Sequence, residues 1–279
     1  MALLPIHQFF SLNGEIKPNK EFIAAENEGG IYEVLRVIHG IPVFLYEHLE
    51  RFYHSAELAG KNIRFSPEEI RSYLLELIKI NKVEMGNVLI SCKINLKAFF
   101  IPHVYPTPEQ YAMGVECGLL HAERLNPNAK VFQTRVRTQA NTLIAEQGFY
   151  EVLLLDREQK ITEGSRSNVF FITASHQVIT PKAHQVLLGI TRQKTIACAK
   201  ALNFHVEEAD VSLNDLDTFE SVFLTGTSPK ILPVNQIAEH RFNAKNVMLR
   251  KLMLQYEKMI EHYLDLAKNN HPSDQWSKG

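Results

Sequence analysis

A glutamate, a run of small polar residues and then an apolar strand make up Ile161-Thr162-Glu163-Gly164-Ser165-Arg166-Ser167-Asn168-Val169-Phe170-Phe171-Ile172, the stretch with the plainest capacity for chemistry. A carboxylate fixed at a strand edge can hold a proton opposite a bound molecule; beside a glycine it can equally be a solvated turn residue. Two further loops offer hydroxyls and amides. Leu187-Leu188-Gly189-Ile190-Thr191 launches a helix over 192–201 with Thr191 as the expected N-cap, and backbone N–H groups at a helix start attract phosphate. Thr225-Gly226-Thr227-Ser228-Pro229 closes a buried strand, Val222-Phe223-Leu224. Together the loops would form an anion cup; apart, each is a common turn or helix start. Arg51 presents planar, bidentate donors suited to an anion, or pairs with Glu47 or Glu50 within a helical turn. Lys130 stands just before Val131-Phe132, a short expected strand. Schiff-base chemistry at a lysine needs an amine deprotonated by a desolvated or cationic setting, to which Arg135 or Arg137 could contribute; otherwise it is a solvated charge.

The elements that must position these groups follow from pattern. Asn13-Gly14 between apolar residues signals a hairpin after the strand at 8–10. Alternation over 31–38 gives a strand, His39-Gly40-Ile41-Pro42 a turn, and Val43-Phe44-Leu45 a returning strand. From Tyr46 the apolar positions Leu49, Phe52 and Ala56 follow a helical stripe ending at Gly60. Ser66-Pro67-Glu68-Glu69 opens a second helix, with a hydroxyl cap, proline at the first position and acids at the positive end of the dipole. Residues 87–101 read as a strand pair, 138–147 as a helix, 152–156 as a strand joined by a tight polar turn to the one that starts at 161, and 244–266 as a final helix, followed by an unstructured tail from Asn269. The polar segment 121–130, with Asn126-Pro127, is the expected linker, giving an N-terminal domain over 1–120 and a C-terminal domain over 131–279.

The chain has 279 residues, 45% of them hydrophobic, 22% charged, with a formal net charge of -1, enough for two medium cores and without the basic footprint of a nucleic-acid or membrane-surface binder. Met1-Ala2-Leu3-Leu4-Pro5 has no basic n-region and no run of eighteen apolar residues occurs, so a cytoplasmic protein is expected. Cys92, Cys117 and Cys198, odd in number and widely spaced, point to small buried hydrophobes and not to a disulfide framework or a metal site. A lysine, a carboxylate and a phosphate cup would together describe a pyridoxal 5'-phosphate site: the amine for the aldehyde, the acid for the ring nitrogen, the cup for the phosphate.

Five motifs, in order, carry a resemblance. Tyr32-Glu33-Val34-Leu35-Arg36-Val37, Glu47-His48-Leu49-Glu50-Arg51 with Ser55-Ala56, Ile161 through Phe170, Leu188-Gly189-Ile190-Thr191-Arg192 and Leu224-Thr225-Gly226-Thr227 resemble the successive signatures of the class IV, fold-type IV pyridoxal-phosphate enzymes. These include branched-chain and D-amino-acid aminotransferases and 4-amino-4-deoxychorismate lyase. The resemblance spans roughly residues 30 to 235. It implies an α/β (α+β) chain of two domains, the smaller N-terminal one α/β and the larger C-terminal one built on a barrel-like sheet. It further implies a homodimer, an amino-acid or amino-deoxychorismate-like substrate, and no nucleic-acid or membrane partner. By position, Lys130 becomes the catalytic lysine, with Lys93 and Lys182 as fallbacks; Glu163 becomes the acid on the pyridine nitrogen and Arg51 a phosphate ligand. Ser167 and Asn168, in the small polar wall beneath the ring, with Gly189, Ile190, Thr191 and Thr227 complete the cofactor set. Tyr32, Lys93, Thr227 and Ser228 fall on the substrate side. Two departures bear on substrate: Asn27-Glu28-Gly29-Gly30 stands where many members carry Tyr-Gly-Asp-Gly, and the strand at 87–97 offers Lys93 and Lys97 where relatives place an arginine. A transaminase is the first expectation and a lyase releasing pyruvate and p-aminobenzoate the alternative.

Overall fold

The computed structural model describes residues 3–24, 29–132 and 134–269. Asn27 and Glu28 and the tail from residue 270 lie outside the described residues. The chain divides into two compact units, one of residues 1–104, 129–132 and 259–279, the other of residues 105–128 and 133–258.

In the first unit, β1 (Phe9–Leu12) and β2 (Glu15–Pro18) form the expected hairpin, with Asn13 at φ 52° and Gly14 at φ 91° in the turn. They are followed by β3 (Ile31–Ile38), β4 (Ile41–Pro42), α1 (Leu45–Leu58), α2 (Pro67–Asn81), β5 (Met85–Cys92) and β6 (Leu96–Ile101). The sheet order is β2-β1-β6-β5-β3-β4. Along β3, Ile31, Leu35 and Val37 face a core that also takes Leu49, Phe52 and Ala56 of α1 and Leu74 and Leu77 of α2. The strand expected at 43–45 is absent. Phe44 takes a left-handed conformation at φ 54° and turns the chain straight into α1, whose first N–H, from Leu45, is received by the Tyr263 hydroxyl at 3.2 Å. The α2 start is as expected: Ser66 Oγ accepts the Glu69 N–H and the Glu69 carboxylate accepts the Ser66 N–H.

The second unit holds α3 (Pro108–Met113), β7 (Val115–His121), α4 (Thr134–Gln147), β8 (Glu151–Leu155), β9 (Ile161–Gly164), β10 (Asn168–Thr173), β11 (Val178–Thr180), α5 (Ile190–Ala201), β12 (Val206–Glu208), β13 (Phe219–Gly226), β14 (Lys230–Ile237) and β15 (His240–Arg241). The last helix, α6 (Val247–Asn269), belongs to this unit through Lys258, and Asn269, expected in the tail, is its final residue. The nine-stranded sheet runs β12-β11-β10-β13-β14-β7-β8-β9, with β15 on β14. The parallel pair β7 and β8 is joined by a crossover that includes α4. Although β9 ends that path, it also lies against β10, so the sheet is curled and the run at 161–172 is two strands of it.

Of the four places where the chain passes between the units, only the one at 128/129 falls within the expected linker at 121–130. Val115 and Cys117 of β7 pair with β14 and β8, which draws the chain from residue 105 into the larger unit. Val131 bridges Ile31 at the start of β3, which ties residues 129–132 to the smaller one.

Candidate active site

In the larger unit Glu163 sits near the end of β9, 3% exposed. Its Oε2 accepts the N–H of Leu187 at 3.1 Å and its Oε1 lies 3.0 Å from Nε of Arg124. Arg124 also donates through Nη2 to the carbonyl of Ser165. A carboxylate this deep is tolerable because a cation and a backbone N–H replace the water it lost. Glu163 and the half-buried Arg124, with Thr162 and Gln185, line a cleft of ≈ 200 Å³.

Asn168, which opens β10, is where the two hydroxyl-bearing loops meet. Its Cα is registered against Thr225 of β13, and its Nδ2 donates to the carbonyl of Leu187 at 2.8 Å. A Cβ on Gly189 would fall 2.2 Å from Asn168 Oδ1, so any side chain there would have to displace the Asn168 amide. Gly189, and not Thr191, is the N-cap of α5, because Thr191 is already inside the first turn and buried. No side chain caps this helix start, which leaves its first N–H groups to a ligand. The Thr225 hydroxyl is buried without a hydrogen-bond partner among the described residues. Thr227 and Ser228 lie half-buried in the turn between β13 and β14, closed by Gly226 opposite Lys230. An uncapped helix start, a glycine seat, an orphaned hydroxyl and a buried carboxylate are a donor set that fits a phosphate and a protonated aromatic nitrogen.

In the smaller unit Lys130 is anchored through its backbone. Its N–H donates to Ser55 Oγ of α1 at 3.1 Å and its carbonyl accepts the N–H of Tyr32 at 3.1 Å. Its Nζ lies 4.9 Å from the centroid of the Tyr32 ring, which stacks on Phe132 at 4.0 Å and 20°. Arg51, one helical turn before Ser55, is buried, and its partner is Glu33 of β3 and neither Glu47 nor Glu50: Nε donates to Oε1 and Nη2 to Oε2, each at 2.7 Å. His48 Nδ1 lies 2.8 Å from Glu33 Oε2. Burial would raise the Glu33 pKa, but the charge and hydrogen bonds of Arg51, with His48, hold it at about 2. For His48 burial is the larger effect and lowers its pKa despite Glu33. The neutral ring then donates from Nδ1, since an ionised carboxylate can only accept.

Lys93 is exposed in the turn between β5 and β6, and Lys182 bonds Asp210 at 2.9 Å. Two buried charged residues, Glu33 and Glu151, and the half-buried Arg124 escaped the sequence reading as site groups. Glu33 was readable: Ile31, Leu35 and Val37, two and four residues away, are all core, so alternation puts its carboxylate on the buried face where only a cation could satisfy it. Arg124 gave no such signal from within an expected linker. Glu151, at the head of β8, is 3% exposed and had none either.

The amino-transferase class IV family model matches residues 30–237. A probable branched-chain-amino-acid aminotransferase of Rickettsia bellii (strain RML369-C) is 31% identical over 226 residues, 75% of this chain and 78% of that protein. The D-alanine aminotransferase of Bacillus licheniformis is 28% identical over 224 residues, again 75% and 78%. The crystal structure of the branched-chain amino acid aminotransferase of Thermobaculum terrenum in its PLP form superposes with a TM-score of 0.80 at 21% identity, over 92% of this chain and 95% of that one, a likeness of fold.

Proposed function

The chain belongs to the class IV aminotransferases, and on that premise we propose how its residues carry the reaction. It is a pyridoxal 5'-phosphate-dependent enzyme that passes an amino group between an amino acid and a 2-keto acid. The relatives reported above are aminotransferases, so the lyase alternative has no support from them. When bound, the cofactor supplies an aldehyde carbon and an electron-withdrawing ring.

Lys130 would hold the cofactor's aldehyde carbon through its side-chain amine and, once the substrate amine displaces it, would move the proton at the substrate Cα. Glu163, paired with Arg124 and oriented by the Leu187 N–H, holds the proton on the pyridine nitrogen. Ile190 and Thr191 at the start of α5, the Gly189 seat and Thr227 bind the phosphate, as does Arg51, whose plane Glu33 fixes. Ser167 and Asn168 give the ring a close wall. Tyr32 and Ser228 contact substrate, and of the groups assigned to that side Lys93 has the weakest support, being an exposed turn residue. The observation that carries this reading is that Glu163 and Asn168 meet at Leu187, just ahead of α5, and grip that one residue by its N–H and its carbonyl. The enzyme works as a homodimer in the cytoplasm; its free cysteines suit a reducing compartment, and no helix among the described residues is long and apolar enough to cross a membrane.

The test is a donor screen. Protein loaded with pyridoxal 5'-phosphate is mixed with L- and D-amino acids and followed by visible absorbance. At least one donor should bleach the band and yield the keto acid; an unchanged band with every donor, alongside pyruvate release from aminodeoxychorismate, would sink the transaminase assignment.

A further inference from the structure

We propose that Glu151 is a positioning residue for the cofactor site, acting through the turn between β9 and β10; the inference rests on the aminotransferase reading above. Glu151 lies at the head of β8, buried, and its carboxylate is surrounded by donors. Oε1 accepts the Ser165 hydroxyl at 2.6 Å and the Val152 N–H at 3.0 Å, and Oε2 accepts the Ser167 hydroxyl and the Arg166 N–H, both at 3.0 Å. Three of these four donors come from consecutive residues, 165–167. The carboxylate is the template on which that turn is wound.

The turn is tight in other ways. Gly164 N–H bonds the Ser167 carbonyl at 2.8 Å and Ser165 N–H the Val152 carbonyl at 2.9 Å. A Cβ on Gly164 would lie 2.1 Å from Ser167 Oγ and 3.1 Å from Glu151 Cγ, so the carboxylate and the hydroxyl occupy the space a side chain would need.

Both ends of the turn carry site residues. Glu163 precedes it and Asn168 follows it, and the two grip the same residue: Glu163 Oε2 takes the Leu187 N–H, and Asn168 Nδ2 gives to the Leu187 carbonyl. The spacing between Glu163 and Asn168 therefore sets where Leu187 sits, and two residues later comes Gly189, the N-cap of α5. Glu151 touches none of these groups. It fixes the turn that spaces them, and so couples the ring acid to the phosphate-binding helix start. A buried carboxylate is an expensive way to hold a turn, but four directed donors select one arrangement where an apolar side chain would permit several. Ser165 and Ser167 serve here as ligands of Glu151 as much as walls for a ring.

The experiment compares the wild type with Glu151→Gln and Ser167→Ala. Glutamine keeps one acceptor oxygen and turns an NH₂ toward donors; the alanine removes one donor and leaves the carboxylate. Apoprotein is titrated with pyridoxal 5'-phosphate, the pH midpoint of the visible band is measured, and thermal unfolding of the apoprotein is recorded separately. Glu151→Gln should bind the cofactor about 10-fold or more weakly and move the pH midpoint, with Ser167→Ala changing both in the same direction by less. Affinity and midpoint equal to wild type in both variants, even with lowered unfolding temperatures, would make Glu151 a purely structural residue and overturn the proposal. Should Glu151→Gln not fold, Ser167→Ala decides by the same two readouts. A wild-type chain that takes up no cofactor at all overturns the functional reading, and this inference with it, before any variant is compared.

Discussion

Arg51 and Glu33 face each other fork to fork, Nε to Oε1 and Nη2 to Oε2, both contacts at 2.7 Å and both residues buried. The pair joins α1 to β3 and leaves the guanidinium a single orientation. Because the chain spends two of the arginine's nitrogens on a carboxylate, a lysine there could not reproduce it. Arg51→Lys should keep the fold marginally and bind pyridoxal 5'-phosphate at least about 10-fold more weakly, measured by titration of the apoprotein; unchanged affinity would remove Arg51 from the phosphate set.

Glu33→Gln removes the anion and strands a buried cation, an arrangement that costs about 3–5 kcal/mol. Denaturant unfolding should show a loss of that size, and a loss under 1 kcal/mol would mean the pair is better hydrated than its burial indicates.

The same pair predicts acid sensitivity. Glu33 is held at about 2, below its ordinary value near 4.5, so its ionised form stabilises the fold above that ordinary value and the contribution is lost as pH falls from about 4.5 toward 2. His48 is lowered as well, mainly by burial, so it too weakens the fold on acidification, starting below its ordinary 6.5. Thermal unfolding followed from pH 7 downward should therefore show a progressive decline, and Glu33→Gln, though less stable at pH 7, should lose less between about 4.5 and 2. Parallel curves for the two proteins would contradict the assignment.

Gly189→Ala places a methyl where Asn168 Oδ1 stands, 2.2 Å away. Either Asn168 releases the Leu187 carbonyl or the start of α5 moves. A cost of roughly 1–3 kcal/mol in stability and weaker cofactor binding are expected; a Gly189→Ala protein that binds like wild type would show that the seat is not part of the phosphate site.

What the sequence made legible was mostly local. The Asn13-Gly14 hairpin and the Ser66-Pro67-Glu69 helix start depend on residues within a few positions of one another, and both are present as read. Elements that depend on distant partners were harder to see. All of β7 but His121 falls inside the expected N-terminal domain, because nothing in Val115 to His121 announces that its neighbours are β8 and β14. β14 went unread, its alternation interrupted by Pro233, which the sheet accommodates opposite Phe223. At the site, Glu163 and the two hydroxyl loops were legible, because carboxylate, glycine and threonine types mark them. Arg124 and Glu151 carried no local mark, since what makes each informative is a partner 39 or 14 to 16 residues away, and Glu33, which alternation places on the buried face of β3, shows its role only beside Arg51, 18 residues on.

Lys130, tied to Ser55 and Tyr32 through its backbone, is the amine proposed to take the cofactor. Reduction of the cofactor-loaded protein with borohydride, followed by proteolysis and mass mapping, locates that amine without relying on turnover. A pyridoxyl group on Lys130 and loss of the visible band in Lys130→Ala are expected; a label on Lys93 or Lys182, with the band intact in Lys130→Ala, would overturn the assignment.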